Sequence, residues 1–558
     1  DRLMTLTAAA HATDDLSGFV RATFRKHYET ENYNGKAFKE HHLGSQRVNP
    51  DPSEANVKNI LTKWVFEPNA EQKIALSYEY FHDNSWASLL SRKTSSIMGV
   101  ITDLGTHSGT KSTRQQVNIR HDFNVSTALF DKGHWMAYYQ NTRARQLQFE
   151  ERESLRKVVS DRWRKSTFDS DQAGLTLEFN KGLSFGSVSH ELTYGANYKH
   201  TKVKTMRTGD TVRRIDGISI ETENFPNKSF PDSKINEYGV FAQDRIGFFD
   251  NTVEVITGLR YDHYSLKPSG DRAYLEANTG TMAPVGMNEG KLTKRLAVLY
   301  YPTDTQTLYI NYAEGFKAPG FSAVNTGFSN LAHGYVTHSN PDLKPETSRT
   351  YELGWNFNDD VNSASLAAFY TKYDNFIEEQ VMQPGLQNGL MVFKAINLEK
   401  THIYGLEAKT SLRMMELQNG DGDLRFNGNL AYAKGKDDGT KEPIDSVEPF
   451  TAILGASYSY SDSVFVGLNW KLVAPKKEGK ISQSLRDNGV TKMPGYGTLD
   501  LIAEYKPQEN VRVNAGIYNI FDKKHWSWGN RMTQTTPISR ERGTQPGINA
   551  GISVTINF

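Results

Sequence analysis

The sequence predicts an all-β protein built as a transmembrane antiparallel β-barrel, and three observations carry that reading. About 21 stretches alternate apolar and polar residues, the mark of strands with one face in an apolar medium and the other in water. The gaps between them alternate short and long, which gives a barrel one trimmed end and one end with large loops. The polar faces carry charges, which suit a wet lumen, and so many strands exceed what a single open twisted sheet holds.

Composition fits. The chain has 558 residues without a Pro- or Ser-rich linker, charge block or low-complexity tract, so residues 1–558 read as one domain. No apolar run approaches the ~18 residues of a membrane helix, but a barrel strand meets lipid only at every second residue and escapes such a test. Aromatics make up 11% (27 Tyr, 28 Phe and 8 Trp), enough for interfacial girdles. There is no cysteine, and a net charge of +1 leaves no nucleic-acid footprint. The chain starts at Asp1 without a signal peptide, as if already cut.

Along the chain, the alternation is clear in five strands. Ile74, Leu76, Tyr78 and Tyr80 oppose Lys73, Ala75, Ser77 and Glu79. Val253, Val255, Leu259 and Tyr261 oppose Glu254, Gly258, Arg260 and Asp262. Leu424, Phe426, Leu430 and Tyr432 oppose Arg425, Asn427 and Asn429. Leu499, Leu501, Ala503 and Tyr505 oppose Asp500 and Glu504, and Val511, Val513, Ala515 and Ile517 oppose Arg512, Asn514 and Gly516. Turn formers mark short connections at Thr13-Asp14-Asp15, Glu67-Pro68-Asn69, Asp250-Asn251, Pro302-Thr303-Asp304, Asp359-Asp360, Ser461-Asp462 and Pro507-Gln508-Glu509. Long loops are expected at about 31–54, 82–112, 148–166, 204–234, 266–289, 316–344, 378–395, 436–448, 475–495 and 521–542, and loops of that size are usually functional.

Single-chain bacterial barrels have an even number of strands. An odd count whose first stretch, Arg2–His11, runs into a short turn implies one further strand upstream, a 22-stranded barrel of the plugged-transporter size, with the plug also upstream. At the other end, Ile548, Ala550, Ile552, Val554, Ile556 and Phe558 share one strand face, and a terminal aromatic at Phe558 resembles the outer-membrane assembly signal.

At Asn311 the pattern becomes specific. Asn311-Tyr312-Ala313-Glu314-Gly315-Phe316-Lys317-Ala318-Pro319 is followed by Asn340-Pro341-Asp342-Leu343-Lys344-Pro345-Glu346-Thr347-Ser348 and the strand Tyr351-Glu352-Leu353-Gly354-Trp355. Together with Tyr518-Asn519-Ile520-Phe521-Asp522 near the end, this resembles a TonB-dependent outer-membrane receptor over the whole chain, as its barrel portion. Within that family, Phe-Arg-Ala-Pro and Asn-Pro-Asn-Leu boxes mark haem and haemoglobin receptors. Phe316-Lys317-Ala318-Pro319 and Asn340-Pro341-Asp342-Leu343 are similar to those boxes and depart from them at Lys317 and Asp342. The prolines also have a structural reading. Pro319 and Pro341 stop strand pairing at the rim, and Pro345 keeps Lys344 extended.

The resemblance implies a haem-iron ligand between the boxes. Candidates are Tyr335, His333 and His338 in Leu331-Ala332-His333-Gly334-Tyr335-Val336-Thr337-His338, since phenolate and imidazole both ligate ferric iron. Tyr335 leads because Gly-Tyr shortly before the second box resembles the tyrosine-ligating branch. Phe316, Phe321 and Phe328 could supply an apolar face for haem. Haem is then the transported ligand and the only cofactor. The further partners the family implies are the TonB complex acting through the plug, outer-membrane lipid, and haemoglobin or a haemophore as donor, around a monomer in the Gram-negative outer membrane.

Other histidines carry less. His41-His42 in the first long loop make a poor chelate alone, His107 and His525 read as loop residues without a visible partner, and His263 and His402 fall on or near strands. Gly105-Thr106-His107-Ser108-Gly109-Thr110 reads as a mobile loop segment. No metal-spaced cluster, nucleophile elbow or Walker-type loop appears, so nothing argues for an enzyme. The alternatives to haem uptake are a receptor of the same family for a siderophore or other metal chelate, and a passive pore or barrel adhesin.

Overall fold

The computed structural model describes residues 1–33, 43–94, 96–97, 101–277, 283–330, 335–387, 390–417 and 422–557. Its strands are β1 (Arg2–Thr13), β2 (Leu16–Tyr28), β3 (Ser53–Asn69), β4 (Gln72–Ser88), β5 (Ser96–Ile97), β6 (Ile101–Phe123), β7 (Lys132–Ser154), β8 (Val159–Phe185), β9 (Val188–Arg213), β10 (Asp232–Phe248), β11 (Val253–Ser269) and β12 (Met287–Thr303). They continue as β13 (Gln306–Lys317), β14 (Phe328–Asn330), β15 (Tyr335–His338), β16 (Glu346–Asn358), β17 (Ser363–Gln387), β18 (Leu390–Leu417), β19 (Gly422–Asp437), β20 (Thr451–Tyr460), β21 (Val464–Val473), β22 (Tyr496–Gln508), β23 (Val511–Tyr518) and β24 (Asn549–Ile556). Short helices lie in the long loops: α1 (Arg272–Ala277), α2 (Phe321–Asn325), α3 (Gln483–Asp487), α4 (Trp528–Arg531) and α5 (Pro537–Arg542).

All 24 strands belong to one sheet. Apart from the short loop strands β5, β14 and β15, each strand pairs antiparallel with its predecessor and successor, an uninterrupted meander. Its strand count agrees with the sequence reading. β1 and β24 are the two edges, and among the described residues no ladder joins them, so the sheet is not closed. Phe558 lies outside the described residues.

Cross-strand register builds the two faces. Leu76 pairs with Trp64 and Ile119, Ile310 with Val298 and Leu353, and Leu468 with Leu501, so apolar side chains stand in rows around the outside. Most of them are exposed, as a lipid-facing band requires. On the other face charges pair, across strands from Arg114 Nη2 to Glu79 at 2.9 Å, and between residues two apart on one strand from Arg260 to Asp262 and from Arg425 to Asp423, both at 2.6 Å. The charged faces of the sequence are thus satisfied by one another.

The loop readings need correcting in three places. β6 begins at Ile101, β7 and β8 meet across residues 155–158, and β17 and β18 run to Gln387 and from Leu390. The segments expected as loops at about 82–112, 148–166 and 378–395 are therefore largely hairpin wall that continues past the membrane. Apolar alternation ends where lipid ends, so a polar extension looks like a loop in sequence although its backbone stays paired. β18 has 28 residues and β8 has 27, against the ~9–11 a membrane crossing needs. Gly105–Thr110, expected to be mobile, sits inside β6, paired with β4 and β7. His107 has partners too: its Nδ1 lies 3.1 Å from Ser88 Oγ, and its ring stacks on Trp86.

At the loop end two apolar cores form above the wall. Val473, Ile481, Val490, Met493 and Trp528 pack together, joining the loop before β22 to the loop before β24. Trp528 donates its indole N–H to the Asp445 carbonyl at 2.7 Å, which brings in the β19–β20 loop. The second core lies at the candidate site.

Candidate functional site

The motif boxes anchor a loop to the rim. β13 ends at Lys317 and β16 begins at Glu346, and these two residues pair as the last rung. Pro319, one residue past the rung's neighbour Ala318, is buried. Leu343, Val324, Ile235, Leu266, Met287 and Ala395 make a closed apolar cluster, with Phe321 and Tyr264 against it. Asn340 donates to the Ala395 carbonyl at 2.7 Å and accepts from the Asp342 N–H. The Lys344 main chain both donates to and accepts from the Asn397 side chain, at 2.8 and 3.0 Å. The Asn325 side chain does the same for the Val285 main chain, and Tyr274 donates to the Asn325 carbonyl. Phe321, considered as a haem face, packs edge-on against Phe230, which gives it a structural role.

The ligand candidates divide three ways. The backbone of Tyr335 starts β15, which pairs antiparallel with β14 and parallel with β18, Tyr335 opposite Asn330 and Met391. His338 ends β15, opposite Lys394, and is half-buried. His333 lies outside the described residues, as do His41 and His42. β15, which carries Tyr335 and His338, is therefore strapped to the top of the β17–β18 hairpin wall. Among the described residues no group of three or more His, Cys, Asp or Glu side chains is placed to hold a metal ion.

A cavity of about 770 Å³ escaped the sequence reading. Its wall is the inner face of the β7–β9 extension, where Arg152 lies opposite Ser160, Arg162 opposite Thr211, and Arg213 opposite Ser160. Its roof is the 214–231 segment, which includes Lys228 and Ser229, and Gly327 forms part of the rim beside β14. Six cations line it (Arg152, Arg162, Arg164, Arg207, Arg213 and Lys228) against three carboxylates, Glu221, Glu223 and Glu276. On the same face of the wall Glu150, only 1% exposed, pairs with Arg152, with Arg162 at 3.1 Å and with Arg92 at 3.7 Å. Burial acts to raise the Glu150 carboxyl, and the charges of Arg152, Arg162 and Arg92 outweigh it and hold it below its ordinary value. Burial also holds Arg152 and Arg164 below the usual arginine value.

The roof is fixed to the wall. Arg164 meets Glu221 at 2.8 Å and stacks over the Phe225 ring at 4.7 Å, Thr211 donates to Glu221 at 2.7 Å, and Lys228 bridges Asp232 and Asp271. The one sequence signal was Asp161-Arg162-Trp163-Arg164, two arginines at strand spacing. It fell in a segment read as loop, where period two has no meaning.

A meander of this size, apolar outside, charged inside and capped by anchored loops at one end, defines a large outer-membrane receptor barrel. Residues 64–520 match the family described as TonB dependent receptor-like, beta-barrel, and the chain belongs to that family. It is 26% identical to the hemin receptor of Yersinia pestis over 371 residues, 63% of this chain and 48% of that protein. It is 22% identical to the hemoglobin and hemoglobin-haptoglobin-binding protein A of Haemophilus influenzae, covering 71% of this chain and 45% of that protein. It is 25% identical to the ferrienterobactin receptor of Escherichia coli K12, covering 65% and 47%. The chain spans about half the length of these curated relatives. In fold it is similar to the copper transporter OprC, with a TM-score of 0.71 at 17% identity over 99% of this chain and 79% of that one.

Proposed function

We propose that this barrel belongs to a receptor that captures haem at its outer face and imports it with energy supplied through TonB, acting as a monomer in the outer membrane. The observation that carries the reading is the strap between the two boxes, which holds the backbone of Tyr335 and His338 against the top of the β17–β18 wall. A ligand that must bind iron from outside needs such a fixed backbone, since a free loop would lose ordering entropy on every capture. The hemin and hemoglobin relatives support the same cargo. Tyr335 is the external ligand in this reading, with His333 and His338 next. Haemoglobin or a haemophore is the donor, and a plug supplies the energy contact.

A second reading, uptake of a siderophore or other anionic chelate, is favoured by the ferrienterobactin relative and by the arginine-lined cavity. Membership of a receptor family speaks against a passive pore or adhesin.

Haemin titration of the detergent-solubilised receptor, with Tyr335→Ala, His333→Ala and His338→Ala alongside, tests the choice. A Soret band that shifts in the wild type and is altered in the Tyr335→Ala protein supports haem with Tyr335 as ligand. An unperturbed haemin spectrum at micromolar receptor would remove the haem reading in favour of a chelate.

A further inference from the structure

The cavity over the β7–β9 wall has the character of a binding site. Its volume falls in the range of small-molecule sites, roughly 300–1,000 Å³. A second cavity of about 540 Å³ shares Arg207 and Ser229 with it and continues along the same inner face, past Phe168 and Phe230. A charged chamber thus opens onto a more apolar one. Structural ion pairing alone leaves this cluster incomplete. Arg152 and Arg164 are more than nine-tenths buried, yet the Nε of each has no hydrogen-bond partner. Glu223 Oε2 stands 3.6 Å from Arg164 Nε and 3.8 Å from Arg207 Nη2, and has no hydrogen-bond partner of its own. Buried donors of this kind are normally satisfied, and leaving one unmade costs on the order of 1–3 kcal/mol. Planar guanidinium groups on neighbouring strands present paired N–H forks, the geometry that recognises carboxylates and other ionised oxygens.

We propose that this cavity binds a small polyanion carrying at least two ionised oxygen groups, held between the arginine face of β7–β9 and the 214–231 roof, with its apolar body in the adjoining chamber. Two sources share that chemistry: a porphyrin with its two propionates, and an iron chelate with ionised catecholate or carboxylate oxygens. The site stands with either cargo and does not depend on Tyr335. Its place beside Gly327, one residue before β14, puts it next to the strap on which the iron-ligand candidates sit.

The test uses the receptor in detergent and three probes: haemin, haemin dimethyl ester, and the ferric tris complex of 2,3-dihydroxybenzoate. Thr222→Glu/Asn224→Glu adds two negative charges at exposed roof positions without removing a structural ion pair. Arg164→Gln removes a wall cation. Binding is read by quenching of intrinsic tryptophan fluorescence at two salt concentrations. At least one anionic probe should bind the roof variant roughly tenfold or more weakly than the wild type, because like charges are forced together. For that probe, Arg164→Gln should lower affinity and flatten the salt dependence. If haemin is the affected probe, its dimethyl ester should bind all forms equally. If only the catecholate complex is affected and Tyr335→Ala leaves haemin binding unchanged, the cavity proposal stands and the haem reading falls. Wild-type affinity of both variants for both anionic probes, or no binding of either probe by the wild type, overturns the site. Haemin binding lost in Tyr335→Ala, with neither anionic probe weakened by the roof variant, would keep the haem reading and discard the cavity.

Discussion

The side-chain amide of Asn340 donates to the main-chain carbonyl of Ala395, 2.7 Å away and 55 residues further along the chain, and both residues are buried. That bond ties the end of the strap to β18 at the rim. Asn340→Ala leaves the carbonyl unpaired in an apolar cluster, at a cost of about 1–3 kcal/mol. Leu343→Ala empties the centre of the same cluster, at about 2–5 kcal/mol. Both should free the 318–345 loop without unfolding the sheet. Limited chymotrypsin digestion should cut each variant within that loop, at sites such as Phe321 and Phe328, faster than wild type, while resistance of the barrel to heat in detergent stays unchanged. Equal digestion rates would mean that the box residues do not anchor the strap.

Glu150 should behave as the keystone of the outer wall. It is almost fully buried and faces three arginines. Glu150→Gln keeps the shape and removes the charge that compensates them, and breaking a buried pair in this way costs about 3–5 kcal/mol. Hydrogen exchange should quicken in residues 148–164 and stay slow in the membrane segments of the same strands. Exchange as slow as in wild type at 148–164 would show that solvent already screens this cluster.

The limits of legibility in the sequence follow the membrane. Inside it, lipid enforces period two, so Ile74–Tyr80 and Val511–Ile517 could be placed on a face and the meander counted. Above it, Arg152 on β7 and Arg162 and Arg164 on β8 still alternate on ordered strands, but only scattered apolar residues such as Phe149 and Trp163 mark the other face, so the wall reads as loop. The boxes are visible as motifs through their resemblance to the family's strings, and Pro319 and Pro341 separately mark where strand pairing stops. That Asn340 and Leu343 reach β18 was not visible, since contacts over such separations leave no trace in one sequence. The basic cavity needs β7, β8, β9 and the 214–231 roof together, and no single segment announces it.

Acid should loosen the outer wall. The Glu150 carboxyl is held below its ordinary value in the fold by the neighbouring arginines. A depressed carboxylate contributes stability that is present above its unfolded pKa and is lost as pH falls through its folded value. The wall should therefore be firm at neutral pH and loosen only below about pH 4, under the carboxylate reference range. Lys228 sets the opposite limit. Burial lowers its amine, and the bonds to Asp232 and Asp271 outweigh that and raise it above its ordinary value. Its contribution is full below the unfolded lysine pKa and is lost only as pH rises through the folded one. Protease cleavage at the 155–158 turn, followed from pH 3 to 7, should rise on the acid side in wild type and show a flattened profile in Glu150→Gln. A profile that is unchanged by the substitution would assign the acid sensitivity to other carboxylates.

Gly489 closes α3 with φ near +84°, and a Cβ added there would lie 2.6 Å from the Thr535 carbonyl oxygen. Positive φ strains any residue with a side chain by about 1 kcal/mol. The clash adds to that because its partner is main chain and cannot swing aside. Gly489 precedes Val490, which is buried with Met493 and Trp528 in the cap core. Thr535 lies one residue before Thr536, whose side chain caps α5. Gly489→Ala must therefore push the loop before β22 away from the loop before β24, and exposure of Trp528 should follow. The expected signature is a red-shifted tryptophan emission and faster proteolysis between residues 474 and 495, with haemin or chelate binding at the β7–β9 side unaffected. An unshifted emission spectrum would show that the two loops give way without opening their core.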